Sequence, residues 1–147
     1  MSGRTAPAVP EGFAPHFRRS PVTDPWEPLF SRQSQGVVEI GFVLAQPHCN
    51  SRGLLHGEVI AALADNAMGL SFGAVYRQAF PEAEVTRGGA VTVSATVDYI
   101  GAASVGDWVQ IVPRVLKATR STGFVDALIT ADGTVIARAN AMFRLIG

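Results

Sequence analysis

Apolar and polar positions along this chain alternate with two different periods. From Gly36 to Gln46 the run is β-branched and aromatic and reads as a strand, closed by Pro47. Leu54 to Val75 is almost wholly apolar and reads as one central helix. It is entered from the polar turn around Asn50 and decays at Gly73 and Pro81 into a loop rich in Ala and Glu. A helix apolar on all sides belongs in a core. After Gly88-Gly89, Val91, Val93, Ala95, Val97 and Tyr99 alternate with Thr92, Ser94, Thr96 and Asp98, the period of a strand over Ala90 to Ile100. Strict alternation puts Thr92 on the polar face with Ser94 and Thr96. Three more strands are expected at Asp107 to Ala118, Gly123 to Thr130 and Thr134 to Leu145, with Asp132-Gly133 as a tight hairpin. Pro113 lacks an N–H, which argues for an edge or a bulge at its place. One strand, one helix and four strands ending in hairpins predict an α+β fold, an antiparallel sheet wrapped around a central buried helix.

The first residues read differently. Met1 to Pro15 is rich in Pro, Gly, Ala and Ser and is expected as a mobile or draped tail. Phe13, Phe17, Trp26, Leu29 and Phe30 follow, with Pro21, Pro25 and Pro28 blocking a long helix. The expectation is irregular chain with one helical turn near Glu27 to Ser31. Its aromatics either line a pocket or cover the sheet, and covering is their commoner use. The division is therefore an irregular N-terminal segment, 1–27, and one folded domain, 28–147.

Composition narrows the partners. A chain of 147 residues, 48% apolar and 16% charged, fits one domain with a well-filled core and apolar surface left over for an oligomer. Twelve basic and twelve acidic residues cancel, so nucleic acid and anionic membranes are not expected partners. Cys49 is the single cysteine, which excludes an internal disulfide and suits a reducing cytoplasm. No apolar leader opens the chain, and Glu58 and Asp65 interrupt the apolar helix, so neither export nor a membrane span is expected. No metal or other cofactor is expected, because a catalytic zinc wants three protein ligands and only His48 and His56 stand near one another.

The candidate chemistry centres on Asp65, one carboxylate in the middle of the apolar helix. Burying it is costly unless something uses or satisfies it. It is either a reactive group or a structural carboxylate that caps a neighbouring backbone or pairs with Arg52 or Arg87. Asn50, His56 and Gly57 gather at the helix start, where free N–H groups and the macrodipole favour a developing negative charge. Gly57 has no Cβ to keep a carbonyl from its N–H. Gly57 and Asp65 are eight positions apart. At the rise of a helix that is roughly 12 Å, too far for both to touch one carbon. If both react, two copies of the chain must pair across a two-fold axis.

Asn50, Gly53, His56-Gly57, Leu63, Asp65, Ala67 and Gly69 together resemble the signature of the hot-dog-fold acyl-CoA thioesterases of the phenylacetate-degradation (PaaI) type. The likeness runs from about Pro28 to Ile146. It implies hydrolysis of an acyl-CoA in a homodimer, itself expected to pair into a homotetramer. By the resemblance Asp65 is the nucleophile or base and the Gly57 N–H polarises the thioester carbonyl. Asn50 and His56 orient water or substrate, and Thr92 takes the place of a hydroxyl beside the carboxylate. Arg120, Ser121 and Arg87 are the expected contacts to CoA. Many relatives have a second glycine where this chain has Glu58, which bears on the size of substrate admitted. The rivals are a non-catalytic acyl-CoA binder and a thioester hydratase or dehydratase. The latter needs an acid/base pair, and no His follows Asp65 on its helix.

Overall fold

The computed structural model describes residues 8–83 and 89–146. Seven strands form one antiparallel sheet: β1 (Ala14–Pro15), β2 (Phe30–Ser34), β3 (Val37–Val43), β4 (Ala90–Tyr99), β5 (Trp108–Ala118), β6 (Thr122–Ala131) and β7 (Thr134–Leu145). Their order across the sheet is β1-β2-β3-β5-β6-β7-β4, which leaves β4 at an edge. The long helix, α1 (Gly57–Ala79), lies in the concave face. Register shifts in β4, β5 and between β6 and β7 interrupt the ladders. Such bulges bend strands and increase their twist, which lets the sheet wrap the helix.

The core lies between sheet and helix. Phe72, Leu63 and Met68 of α1 meet Phe42, Ile40, Ile111 and Ile129 of the strands, all essentially without solvent exposure. Two glycines permit the closest approaches. A Cβ on Gly123 would fall on the ring of Phe72, and one on Gly41 would fall on Trp108.

Several boundaries differ from the sequence reading. The helix starts at Gly57 because Leu54 and Leu55 are held in bridges to Ser104 and Cys49. It passes Gly73 and ends at Ala79, two residues before Pro81. The residue before a proline resists helical geometry, so Pro81 and not Gly73 sets the end. The helical turn expected at Glu27 to Ser31 is instead a 3-10 turn at Asp24–Trp26, while Phe30–Ser34 is a strand paired along its length with β3. Pro113 is in β5, an interior strand, rather than at an edge. It is tolerated there because β3 pairs only with Trp108 to Ile111, so nothing asks Pro113 for an N–H on that side. The tail expected over Met1 to Pro15 lies partly outside the described residues.

The helix is not buried on all sides. Val59, Ile60, Leu63, Ala64, Ala67, Met68, Ser71, Phe72 and Tyr76 form the face against the sheet. Ala61, Ala62, Asp65, Asn66, Gly69, Leu70, Gly73 and Ala74 are only half-buried. By length and hydropathy alone α1 would span a bilayer. Its buried face is instead the floor of the core.

Candidate active site

A cavity of about 600 Å³ opens over the half-buried face of α1. Asp65, Asn66 and Leu70 line it from the helix, Thr92 from β4 and Phe143 from β7, with Phe17 and Arg18 at the wall made by the N-terminal segment. Its size suits a small organic group. Thr92 Oγ1 donates a hydrogen bond to Asp65 Oδ1 at 2.6 Å. Asp65 is half-buried rather than enclosed, and among the described residues no cation pairs with it. Arg52, one of the two partners its structural reading offered, is exposed and makes no ion pair with it. Arg87, the other, lies outside the described residues.

A bulge brings Thr92 to the carboxylate. Thr92 pairs with Phe143 and Ser94 with Met142, so Val93 is the extra residue. Neighbours on β7 face opposite sides of the sheet, and Thr92 therefore faces the helix with buried Phe143 while Ser94 faces out. Strict alternation had put Thr92 on one face with Ser94 and Thr96. The inserted residue reverses that, which alternation alone does not reveal.

The second group of candidates stands at the helix start. His56 is the N-cap, its Nδ1 accepting from the Glu58 N–H at 3.1 Å, so its ring proton is on Nε2. Val59 and Ile60 donate to the His56 carbonyl. Among the described residues the Gly57 N–H has no partner. The space beside the Gly57 Cα is filled by Tyr99, whose ring is 3.1 Å from where a Cβ would be and whose hydroxyl donates to the Gly57 carbonyl at 2.8 Å. The glycine thus makes room for this tyrosine. Asn50 Oδ1 accepts from the N–H groups of Arg52 at 2.9 Å and Leu54 at 3.2 Å, which leaves its Nδ2 as the free donor. Glu58 is exposed on the first turn.

Arg120 and Ser121 are exposed at the β5–β6 turn, by the other end of the helix. The Arg120 guanidinium lies 5.5 Å from the centre of the Phe80 ring. The candidates therefore divide into a helix-start group, an Asp65–Thr92 pair at mid-helix and a cationic turn beyond the helix end. Sequence reasoning missed His16 and Tyr99, and two cations beside the cavity, Arg18 and Arg77. Asn66 went unremarked although it follows Asp65 directly.

His48 is structural. Its Nδ1 accepts from the Ala45 N–H and its Nε2 donates to the Trp26 carbonyl, both at 2.9 Å. Burial pushes its pKa below the ordinary 6.5, and it does the same for His16. A lowered folded pKa means that the unfolded chain takes up protons first as pH falls. Stability is accordingly expected to be complete above about pH 6.5 and to fall as pH drops below it, before most carboxylates titrate near pH 4. Thermal unfolding followed from pH 7.5 to 5 checks this. A His48→Gln variant should flatten part of the slope, and a flat wild-type profile would contradict the assignment.

Residues 52–137 match the family model described as the thioesterase superfamily. Over 138 residues, 93% of this chain and 97% of the other, the chain is 34% identical to "Putative esterase PA0474" of Pseudomonas aeruginosa. Its fold is similar to a mutant of the phenylacetic acid degradation protein PaaI of Thermus thermophilus, with TM-score 0.71 and 20% identity, covering 86% of this chain and 100% of that one. It is similar also to smu.793 of Streptococcus mutans UA159 bound to acetyl CoA, with TM-score 0.71 and 23% identity over 90% and 95% of the two chains. The expected sheet wrapped around a helix is thus the hot-dog fold. The chain belongs to the thioesterase superfamily, and it is a thioester hydrolase.

Proposed function

We propose that this protein hydrolyses an acyl-CoA with an aryl or medium-length acyl group, releasing the free acid and CoA, in a site shared by two copies of the chain. Asp65 takes a proton from water or attacks the carbonyl itself, and the Gly57 N–H of the second copy stabilises the oxyanion that forms. The thiolate of CoA then leaves and is protonated, by Asp65 on the first route; on the second it leaves an anhydride on Asp65, which water cleaves to the free acid, its second proton going to the thiolate. The observation that carries this reading is the carboxylate of Asp65, open to the cavity and held at one oxygen by a hydroxyl, with no cation paired to it among the described residues. A structural carboxylate would be satisfied at both oxygens; among the described residues Oδ2 has no partner and is left for the reaction.

Pairing of two copies is supported by the same geometry. Among the described residues the β4 edge is unpaired on its outer side, and it exposes Val91, Val93 and Tyr99. An exposed apolar edge strand invites a second strand. The half-buried small residues of α1 are a further surface that a second copy would cover. We extend the proposal to a homodimer that itself pairs into a homotetramer. Asn50 Nδ2 and His56 Nε2–H serve beside Gly57, and Arg120, Ser121 and Arg87 meet the phosphates of CoA. Glu58 limits what reaches the helix start.

Release of free thiol from a panel of aryl and medium-chain acyl-CoAs tests the proposal. A hydratase would change enoyl absorbance with no thiol, and a binder would do neither. Thr92→Ala is expected to lower kcat about 10- to 100-fold, the effect of losing one supporting hydrogen bond, with little change in KM. Unchanged kinetics would remove Thr92 from the site.

A further inference from the structure

Asn66 follows Asp65 on α1 and lines the same cavity. Its Oδ1 is 2.9 Å from Nε2 of His16, a residue 50 positions earlier in the chain. His16 is buried, its backbone N–H donates to the Leu29 carbonyl at 2.9 Å, and its ring Nδ1 is buried with no partner among the described residues. The two residues before it pair with β2, and the two after it, Phe17 and Arg18, line the cavity. His16 therefore pins the N-terminal segment against the helix at the reactive carboxylate.

The arrangement fixes which way the Asn66 amide points. Burial holds the pKa of His16 below its ordinary value, so the ring carries one proton. A proton on Nδ1 would be a buried donor with no acceptor, which folded proteins avoid more strictly than an idle acceptor. The proton is thus on Nε2, and it is donated to Asn66 Oδ1. Nδ2 of Asn66, with no partner among the described residues, is left to the cavity.

We infer that Asn66 determines specificity in this site, its Nδ2 donating to a hydroxyl or oxo oxygen on the acyl chain close to the thioester carbonyl, with His16 as the positioning residue. The inference rests on the thioesterase reading above. Leu70, Phe143 and Leu145 supply the apolar part of a wall that also carries Arg18, Gln33 and Arg77. A plain hydrocarbon chain would strip water from the amide and return nothing, whereas an oxygen on the third carbon replaces that water. Sites that offer a polar group discriminate strongly against ligands that lack its partner.

The test compares octanoyl-CoA, 3-hydroxyoctanoyl-CoA and 3-oxooctanoyl-CoA by thiol release. Both oxygenated substrates should exceed octanoyl-CoA about 10-fold or more in kcat/KM for the wild type. The ratio should fall towards one in Asn66→Ala, or in Asn66→Ser should the alanine variant not fold. His16→Ala should also lower the ratio and His16→Gln, whose amide N–H takes the place of Nε2–H, should restore it. A merely structural His16 would depress all three substrates alike and leave the ratio unchanged. A wild-type ratio near one, or a ratio indifferent to Asn66, overturns the inference while thiol release keeps the thioesterase reading. A preference for the hydroxyl alone would mean that Asn66 presents its oxygen, and it overturns the donor assignment. No thiol release from any acyl-CoA overturns the reading and the inference with it.

Discussion

Asp65→Asn is expected to lower thioester hydrolysis by about a thousandfold or more, the scale of losing a general base or a nucleophile. The amide is nearly the size of the carboxylate and keeps an oxygen that can accept from Thr92 Oγ1, so the hydrogen bond that orders the pair is retained. What disappears is the capacity to take a proton or to attack. Thermal unfolding and acyl-CoA binding should therefore match the wild type while turnover is lost. A variant with wild-type turnover would make Asp65 a structural carboxylate. One that binds and folds poorly would show that its charge serves the fold.

Much of the architecture was legible because it rests on periodicity. The strands from Ala90 onward and the hairpin at Asp132-Gly133 lie where alternation and turn chemistry place them. β2 was not legible, because Phe30 to Ser34 reads FSRQS and its strand character comes from pairing with β3 rather than from its own residues. The helix was legible as apolar, but its composition could not tell a face against the sheet from a face of small residues left for something else. That second face is where the cavity lies.

The site was legible in its residue types and not in its contacts. Asp65 stands out because a carboxylate in an apolar run demands a reason. Thr92 reaches it through a bulge, a break in the period that makes strands recognisable in the first place. His16 was beyond reach for another cause. Its partner is 50 residues away, and only the fold of the N-terminal segment over the sheet brings them together. Gly57 shows the limit of a local argument, since its missing side chain makes room for Tyr99. Its N–H, without a partner among the described residues, survives as the useful feature.

That N–H can be removed cleanly. Gly57 is the first residue of α1, the position where proline is favoured, and His56 before it has φ −72° and ψ 133°, the extended geometry that a following proline requires. Tyr99, more than half exposed, can yield the few tenths of an ångström that the new ring needs. Gly57→Pro should thus fold and lose about a hundredfold or more in turnover, as expected when an oxyanion donor goes.

A thioesterase site assembled from two copies predicts that the two inactive variants rescue one another when mixed. Asp65→Asn and Gly57→Pro chains, unfolded and refolded together, give dimers of which half are mixed, and each mixed dimer has one site with both defects and one with neither. Thiol release should recover to about a quarter of the wild-type rate, while each variant refolded alone stays inactive. Mixed dimers confirmed by mass, yet no more active than those controls, would contradict the shared site and return Asp65 to groups of its own chain.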